Sequence, residues 1–339
     1  MQKLLKPLFK PTMLSLLTAI GLQTQADTLS DIQAKGSLNC GVSTGLAGFS
    51  AINKNRQWVG MDVDFCRAVA AATLGDSEKV KYIPLTAKER FIALQSGEID
   101  ILSRVTTWTL TRDASLGLNF AGVTYYDGQG FMVKKSLGVK DARELSGATF
   151  CVNKGTTTEL NLADYAKAEG FKYSTSITDS IAQTKSNFET GRCDALTTDQ
   201  SRLYALRTTL KDPSSAIVLP NVISKEPLGP VVRQGDDKWF NIVRWTLNAM
   251  LTAEELGVTS ATVDKPSNNA EVNRLLGHTG LLGKHLGLDK KWSYNIIKQV
   301  GNYSEVFERH IGVNTPINIT RGLNALWKDG GIMYSPPLR

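Results

Sequence analysis

An apolar run, Ile99 to Leu102, is followed at once by Thr106, Thr107, Trp108 and Arg112. Buried strands usually end in Gly, Pro, Asn or Asp, whereas this one ends in hydroxyl donors around a guanidinium, whose paired N–H groups suit a carboxylate. An anion is the expected guest. Arg112 alone reads as a surface arginine paired with its neighbour Asp113, but open α/β sheets collect ligands just beyond the carboxyl ends of their strands, where this segment lies. A second stretch, Leu196-Thr197-Thr198-Asp199, also leaves a strand, and it meets an acid instead. Set opposite one another, Arg112 and Asp199 would complement the carboxylate and the ammonium of an α-amino acid. The plainer reading of Asp199 is the cap of a helix beginning at Gln200. Gly155-Thr156-Thr157-Thr158-Glu159 opens a helix whose free N–H groups favour an anion, against the plain reading of a capped start. Trp108 suits a pocket wall or the core, and the sequence leaves both open.

The elements that must carry these residues occur twice. Cys40-Gly41-Val42-Ser43-Thr44-Gly45 and Cys151-Val152-Asn153-Lys154-Gly155-Thr156 each put a cysteine near the end of a strand that runs into a Gly-containing loop. Ser96-Gly97-Glu98-Ile99-Asp100-Ile101-Leu102-Ser103 matches Thr190-Gly191-Arg192-Cys193-Asp194-Ala195-Leu196-Thr197 as small-Gly-x-x-Asp-apolar-Leu-hydroxyl. Helices are expected over 63–74, 86–95 (with a Thr86/Glu89 capping box), 158–168, 179–190 from an Asp179 cap, and 239–251. Strands alternating with helices of this length indicate parallel sheets covered on both faces. The expected fold class is therefore α/β with two lobes, each a mixed, mostly parallel sheet flanked by helices.

Two glycines in Tyr125-Tyr126-Asp127-Gly128-Gln129-Gly130-Phe131 suggest one hinge crossing, and Glu226-Pro227-Leu228-Gly229-Pro230 a second. The expected division is 27–129 for the first part of lobe 1, 130–227 for lobe 2, and 228–339 for the return to lobe 1 with a C-terminal extension. No chemistry is assigned to the tail beyond Leu275.

The first 26 residues read as a secretory signal: Lys3, Lys6 and Lys10, an apolar stretch from Met13 to Leu22, and cleavage expected after Ala26. Its loss removes three lysines, leaving 36 basic against 32 acidic residues, a net charge of +4. So mild a balance calls for no nucleic-acid partner. The four cysteines, Cys40, Cys66, Cys151 and Cys193, allow three disulfide connectivities in an oxidising compartment, and the duplication favours Cys40 with Cys66 and Cys151 with Cys193. Three histidines and the absence of Cys-x-x-Cys spacing argue against a metal site. Gly41-Val42-Ser43-Thr44-Gly45 fits the nucleophile-elbow pattern, but no helix is expected to follow directly. No nucleotide fingerprint is present, and no cofactor is expected.

The chain resembles the periplasmic solute-binding proteins of polar-amino-acid ABC importers, above all the general L-amino-acid-binding type. The likeness is carried by GLAGFSAINKNRQWVGMDVDFCRAVAAA (45–72), RFIALQSGEIDILSR (90–104), TTWTLTRD (106–113), YYDGQGFMV (125–133), GTTTELNLADY (155–165), GRCDALTTDQ (191–200) and GGIMYSPPLR (330–339). It implies a type II periplasmic-binding-protein fold, an L-amino-acid ligand, a permease in the inner membrane as partner, a periplasmic location and a monomer. It also implies that Arg112 clamps the α-carboxylate, that Asp199 receives the α-ammonium, and that Thr107, Thr156 and Thr157 touch the ligand. Val105 falls where a backbone carbonyl contributes, and where relatives carry asparagine. Leu46 and Ala87 replace aromatic residues of some cousins, which implies a roomier and broader site, and Ser43 supplies no carboxylate for a lysine or arginine side chain. Exported cyclohexadienyl dehydratases share this architecture and are the enzymatic alternative, although no general acid is evident. A sensor subunit for a membrane receptor is the other.

Overall fold

The computed structural model describes residues 27–339; the expected signal segment and its cleavage site lie outside them. The strands, in chain order, are β1 (Leu38–Ser43), β2 (Ala51–Ile52), β3 (Trp58–Val59), β4 (Val80–Leu85), β5 (Ile101–Leu102), β6 (Leu118–Phe120), β7 (Tyr125–Asp127), β8 (Gln129–Lys134), β9 (Thr149–Asn153), β10 (Ser174–Thr178), β11 (Ala195–Asp199), β12 (Ala216–Val218), β13 (Glu226–Leu228) and β14 (Val231–Arg233). Two five-stranded sheets result, ordered β4-β1-β5-β14-β6 and β10-β9-β11-β8-β12. The orders are equivalent. In each sheet the first strand lies between the second and third, and the strand that has just crossed from the other lobe is inserted before the last.

That inserted strand explains a departure from the expected pairing. β1 pairs in parallel with β4 and β5, and β9 with β10 and β11, as helical crossovers require. β14 and β8 instead arrive from the hinge at the opposite end of the sheet, so both of their pairings are antiparallel. Half of the pairings in each sheet are therefore antiparallel.

The duplicated Gly-x-x-Asp motif has one physical purpose in both lobes. The Asp100 carboxylate accepts the N–H of Asn39 at 2.7 Å, while the Asp100 N–H donates to the Asn39 carbonyl at 2.9 Å. Asp194 does the same with Thr149, at 2.8 Å in each direction. Each aspartate thus fixes the third strand of its sheet to the start of the first. Adjacent residues then face opposite layers, with Ile101 in the large core and Leu102 packing with Leu85, Leu94 and Phe120.

The helices differ from expectation mainly at their starts. Met61–Leu74 begins two residues early, and Arg90–Gln95 begins after the Thr86/Glu89 box has formed a turn of its own. Ser180, not Asp179, caps Ile181–Glu189, because the Ser180 hydroxyl accepts the N–H of Gln183. The apolar stripe of Trp239 to Leu251 extends to Asp237–Glu255 behind the Asp236 cap.

Cys40 bonds to Cys66, tying β1 to the helix above it, and Cys151 bonds to Cys193, tying β9 to the approach of β11. The closed loops span 26 and 42 residues, which corresponds to about 3 to 4 kcal/mol each on chain-entropy grounds. A Cys151→Ser/Cys193→Ser double variant is expected to lose roughly that much in guanidinium unfolding; a shift below about 1 kcal/mol would exclude this bridge as a principal stabiliser of its lobe.

β7 and β13 form a two-stranded antiparallel ladder between the sheets, and the chain passes from lobe to lobe at its ends. The tail beyond Leu275 packs on the first lobe through Trp292, Ile296, Tyr303 and Phe307. It also reaches the ladder, where the Asn324 side chain accepts the N–H of Tyr126 at 2.6 Å and donates to its carbonyl at 3.1 Å. Among the described residues no helix is long and apolar enough to cross a membrane.

Candidate ligand-binding cleft

The two expected charges reach the cleft by equivalent routes. Beyond β5 the backbone turns sharply at Val105, whose φ of 38° lies in the left-handed region, an expensive conformation for a β-branched residue. An asparagine tolerates that region better. The turn lays Thr106 to Trp108 along the second hinge crossing, where Trp108 N–H donates to the Pro227 carbonyl at 2.8 Å and Gly229 N–H to the Thr106 carbonyl at 3.0 Å. The Thr109 hydroxyl caps the helix Leu110–Ser115, and the buried Arg112 turns back to donate from Nη1 to the Thr107 carbonyl at 2.8 Å.

Asp199 stands beside the other crossing. It ends β11, paired with Gln129, and the next residue, Gln200, donates its N–H to Gly128 at 2.8 Å. Although it precedes the helix Gln200–Thr208, its side chain makes no capping hydrogen bond, which removes the plain reading of this residue. Burial pushes its carboxyl above the usual carboxylate range, and Glu226 adds to the rise, while the charges of Arg202, Arg90 and Arg112 oppose it. Burial in turn lowers the Arg112 guanidinium, against the favourable charges of Glu226 and Asp199. Arg112 and Asp199 thus feel each other's charge, yet no ion pair joins them among the described residues.

The lobes are closed on one another. Gly155, at φ 77°, brings its Cα so near the opposite lobe that a Cβ there would stand 3.4 Å from the Lys88 Cα and 3.5 Å from the Ala87 carbonyl carbon. Ala87, buried, therefore faces the loop before the helix Thr158–Glu169. Thr156 turns inward to donate to the Asn153 carbonyl at 2.7 Å, and Thr157 donates to Glu226 at 3.1 Å. Leu46 is buried in the large core with its N–H bonded to the Ser50 carbonyl. Trp108 is 39% exposed and stacks on Phe120 at 5.6 Å, so it is not a core residue.

Sequence reasoning missed Glu226 and three arginines. Glu226 is 1% exposed and accepts from Thr107 of lobe 1, Thr157 and Asn161 of lobe 2, and Ser224, at 2.5, 3.1, 2.7 and 2.8 Å. Arg90, Arg104 and Arg202 are all buried, and their charges act on Asp199. Arg90 lies over Phe91 at 4.8 Å, with Arg112 at 5.3 Å from the same ring. Asp62 lies close to Arg104 and Arg202, and its carboxyl is pushed up to about 7 by burial. The signal available was weak, a charge directly before Pro227 in the hinge segment and an arginine directly after a buried strand. Among the described residues no cluster suited to a metal ion is present.

The model of the bacterial extracellular solute-binding proteins, family 3, matches residues 38–261. The general L-amino acid-binding periplasmic protein AapJ of Rhizobium johnstonii is 58% identical over 93% of this chain and 93% of its own. The glutamate/glutamine/aspartate/asparagine-binding protein BztA of Rhodobacter capsulatus is 52% identical over 93% and 94% respectively. Among solved structures, an ABC transporter periplasmic binding protein from Brucella ovis with glutathione bound superposes with a TM-score of 0.91, at 55% identity, over 93% of this chain and 100% of that one. With the paired sheets, the hinge ladder and the enclosed charges, these matches make the chain a member of the bacterial extracellular solute-binding proteins, family 3, with the type II periplasmic-binding-protein fold.

Proposed function

We propose that this protein binds L-α-amino acids in the periplasm and delivers them, as a monomer and without catalysis, to the permease of an ABC importer. The carrying observation is one buried cation from lobe 1 and one buried anion from lobe 2, each beside a different hinge crossing, within range of each other's charge but unpaired. A zwitterion leaving water needs both of its ends satisfied. Arg112, beside Thr107 and with the N–H groups of Thr156 and Thr157, takes the carboxylate; Asp199, with the carbonyl of Val105, takes the ammonium; Ala87 and Trp108 border the side chain, while Leu46 stays in the core behind them. Only closure of residues 27–129 and 228–339 upon 130–227 engages both ends, so the ligand shifts the hinge equilibrium by its differential affinity. The AapJ and BztA relatives, both amino-acid-binding by name, support this reading, and the glutathione complex of the Brucella relative adds a γ-glutamyl tripeptide to the ligands worth testing.

The test is calorimetry with the twenty amino acids and glutathione, alongside incubation with arogenate and prephenate. Saturable binding at micromolar Kd, which corresponds to about 8 kcal/mol, is expected, with no turnover. Failure of all twenty to bind, or product formation, would overturn the proposal. The pH dependence gives an independent sign. The ammonium needs ionised Asp199, whose carboxyl is raised by burial, so affinity should fall as pH drops from 8 through the raised value, above the ordinary aspartate range near 4. Unliganded stability should move oppositely. An acid raised in the folded state holds its proton more tightly there, so this group favours folding at low pH and loses that contribution as pH rises past its unfolded value; Asp62 and Asp127, raised mainly by burial, act in the same direction.

A further inference from the structure

Asp199 stands where an aspartate normally caps a helix, and it does not cap. Its backbone, at φ −51° and ψ 138°, is that of a residue just ahead of a helix, and Gln200–Thr208 follows directly, yet no N–H of that helix is bonded to its carboxylate. An aspartate in this place ordinarily turns back onto the N–H groups two or three residues ahead. Turned that way, its carboxylate would be withdrawn from the cleft toward the main chain.

The hinge supplies the missing acceptors. Gln200 N–H donates to the Gly128 carbonyl at 2.8 Å, and Ser201 N–H donates to the two carboxylate oxygens of Asp127, at 3.4 and 3.3 Å. The first two N–H groups of a lobe 2 helix thus end on consecutive residues of the first hinge crossing. Ser201 is 1% exposed, so its N–H must find an acceptor within the protein. Without Asp127, the Asp199 carboxylate is the one already in capping position. Asp127 is itself held in place: Oδ1 accepts the Gly128 N–H at 2.8 Å, and β7 pairs the residue with Glu226 of β13. On the other edge of β7 the Asn324 amide bonds to both main-chain groups of Tyr126.

We propose that Asp127 is a positioning residue for the ligand's ammonium: it caps the helix Gln200–Thr208 from the hinge and so leaves the Asp199 carboxylate free to face the cleft. This rests on the amino-acid-binding reading above. The role requires an acceptor oxygen rather than a charge, and asparagine caps helices as well as aspartate does. Repulsion between the two acids gives the opposite sign. The charge of Asp199 acts on Asp127, so removing Asp127 would by itself ease the ionisation of Asp199 and tighten its hold on an ammonium.

The experiment is calorimetry at pH 8 with whichever of the twenty amino acids binds the mature chain most tightly. It compares the native chain with Asp127→Ala, Asp127→Asn, Asp199→Ala and the double variant Asp127→Ala/Asp199→Ala, each checked for cooperative melting. Asp127→Ala should weaken binding about tenfold or more, and Asp127→Asn should stay within about threefold of native. In the Asp199→Ala background the same alanine should cost less than about threefold, because a residue that acts through Asp199 is silent once that carboxylate is gone. Native or tighter binding by folded Asp127→Ala would overturn the proposal, as would equal losses from this alanine in both backgrounds. If Asp127→Ala does not fold, Asp127→Asn still decides: native-like affinity supports the cap, and a change of about tenfold in either direction overturns it. If an amino acid binds and only this pattern fails, the positioning role falls and the amino-acid reading stands. If none of the twenty binds, both fall.

Discussion

Replacing Arg112 by alanine is expected to reduce the affinity for every α-amino acid by about a thousandfold, irrespective of side chain. The guanidinium is buried, oriented by its bond to the Thr107 carbonyl and steadied by the Phe91 ring, so its remaining N–H groups are already directed before a ligand arrives. Two parallel charge-assisted hydrogen bonds to a carboxylate contribute roughly 1.5 to 3 kcal/mol each, and losing both corresponds to about 4 kcal/mol or more. The variant also takes one favourable positive charge away from Glu226 and Asp199, so the empty closed form should itself be weakened. Arg112→Lys keeps the charge but not the fork and should recover only part of the loss. Calorimetry with a neutral and an acidic amino acid separates the possibilities. Equal losses for both place Arg112 on the group common to all amino acids, whereas near-native affinity for either would remove it from the carboxylate.

How much of this was legible beforehand depended on whether a residue's meaning was local. The Gly-x-x-Asp repeats were readable because each aspartate bonds a strand start through main-chain groups, a task set by the sheet itself and hence imposed twice. The cysteine pairing followed from the same duplication. Arg112 and Asp199 could be suspected because both follow strand ends, and the structure removes the capping role that competed for Asp199. Arg90, Arg104, Arg202 and Glu226 were not legible, since a charge in a short polar segment looks solvated in sequence and nothing local announces that these four are buried in the folded chain. The hinge ladder was similarly hidden, because Tyr125–Asp127 and Glu226–Leu228 are too short to announce strands and find each other across about a hundred residues.

Glu226 has the second large expected effect, and it operates through the hinge. Its carboxylate starts β13, the second strand of the ladder, and holds Thr107 from one lobe together with Thr157 and Asn161 from the other. In Glu226→Ala the buried Thr107 hydroxyl and the half-buried donors of Thr157, Asn161 and Ser224 lose their acceptor, and Arg112 loses a nearby negative charge. Hydrogen bonds to a charged group contribute about 1.5 to 3 kcal/mol apiece, and an orphaned buried donor costs a similar amount, so a net loss of several kcal/mol from the closed form is expected. The donors of the two lobes regain water when the cleft opens, so the loss falls mainly on closure and not on either sheet. Ligand affinity should therefore drop about a hundredfold while the far-ultraviolet spectrum is unchanged, and the radius of gyration measured by X-ray scattering without ligand should increase. Glu226→Gln retains an acceptor for Thr107 but places an amide donor against Thr157 or Asn161, and it should fall between the two. If Glu226→Ala instead binds normally and scatters as a closed molecule, the hydroxyl and amide bonds at this carboxylate do not hold the lobes together, and closure rests on the ligand's own two charges.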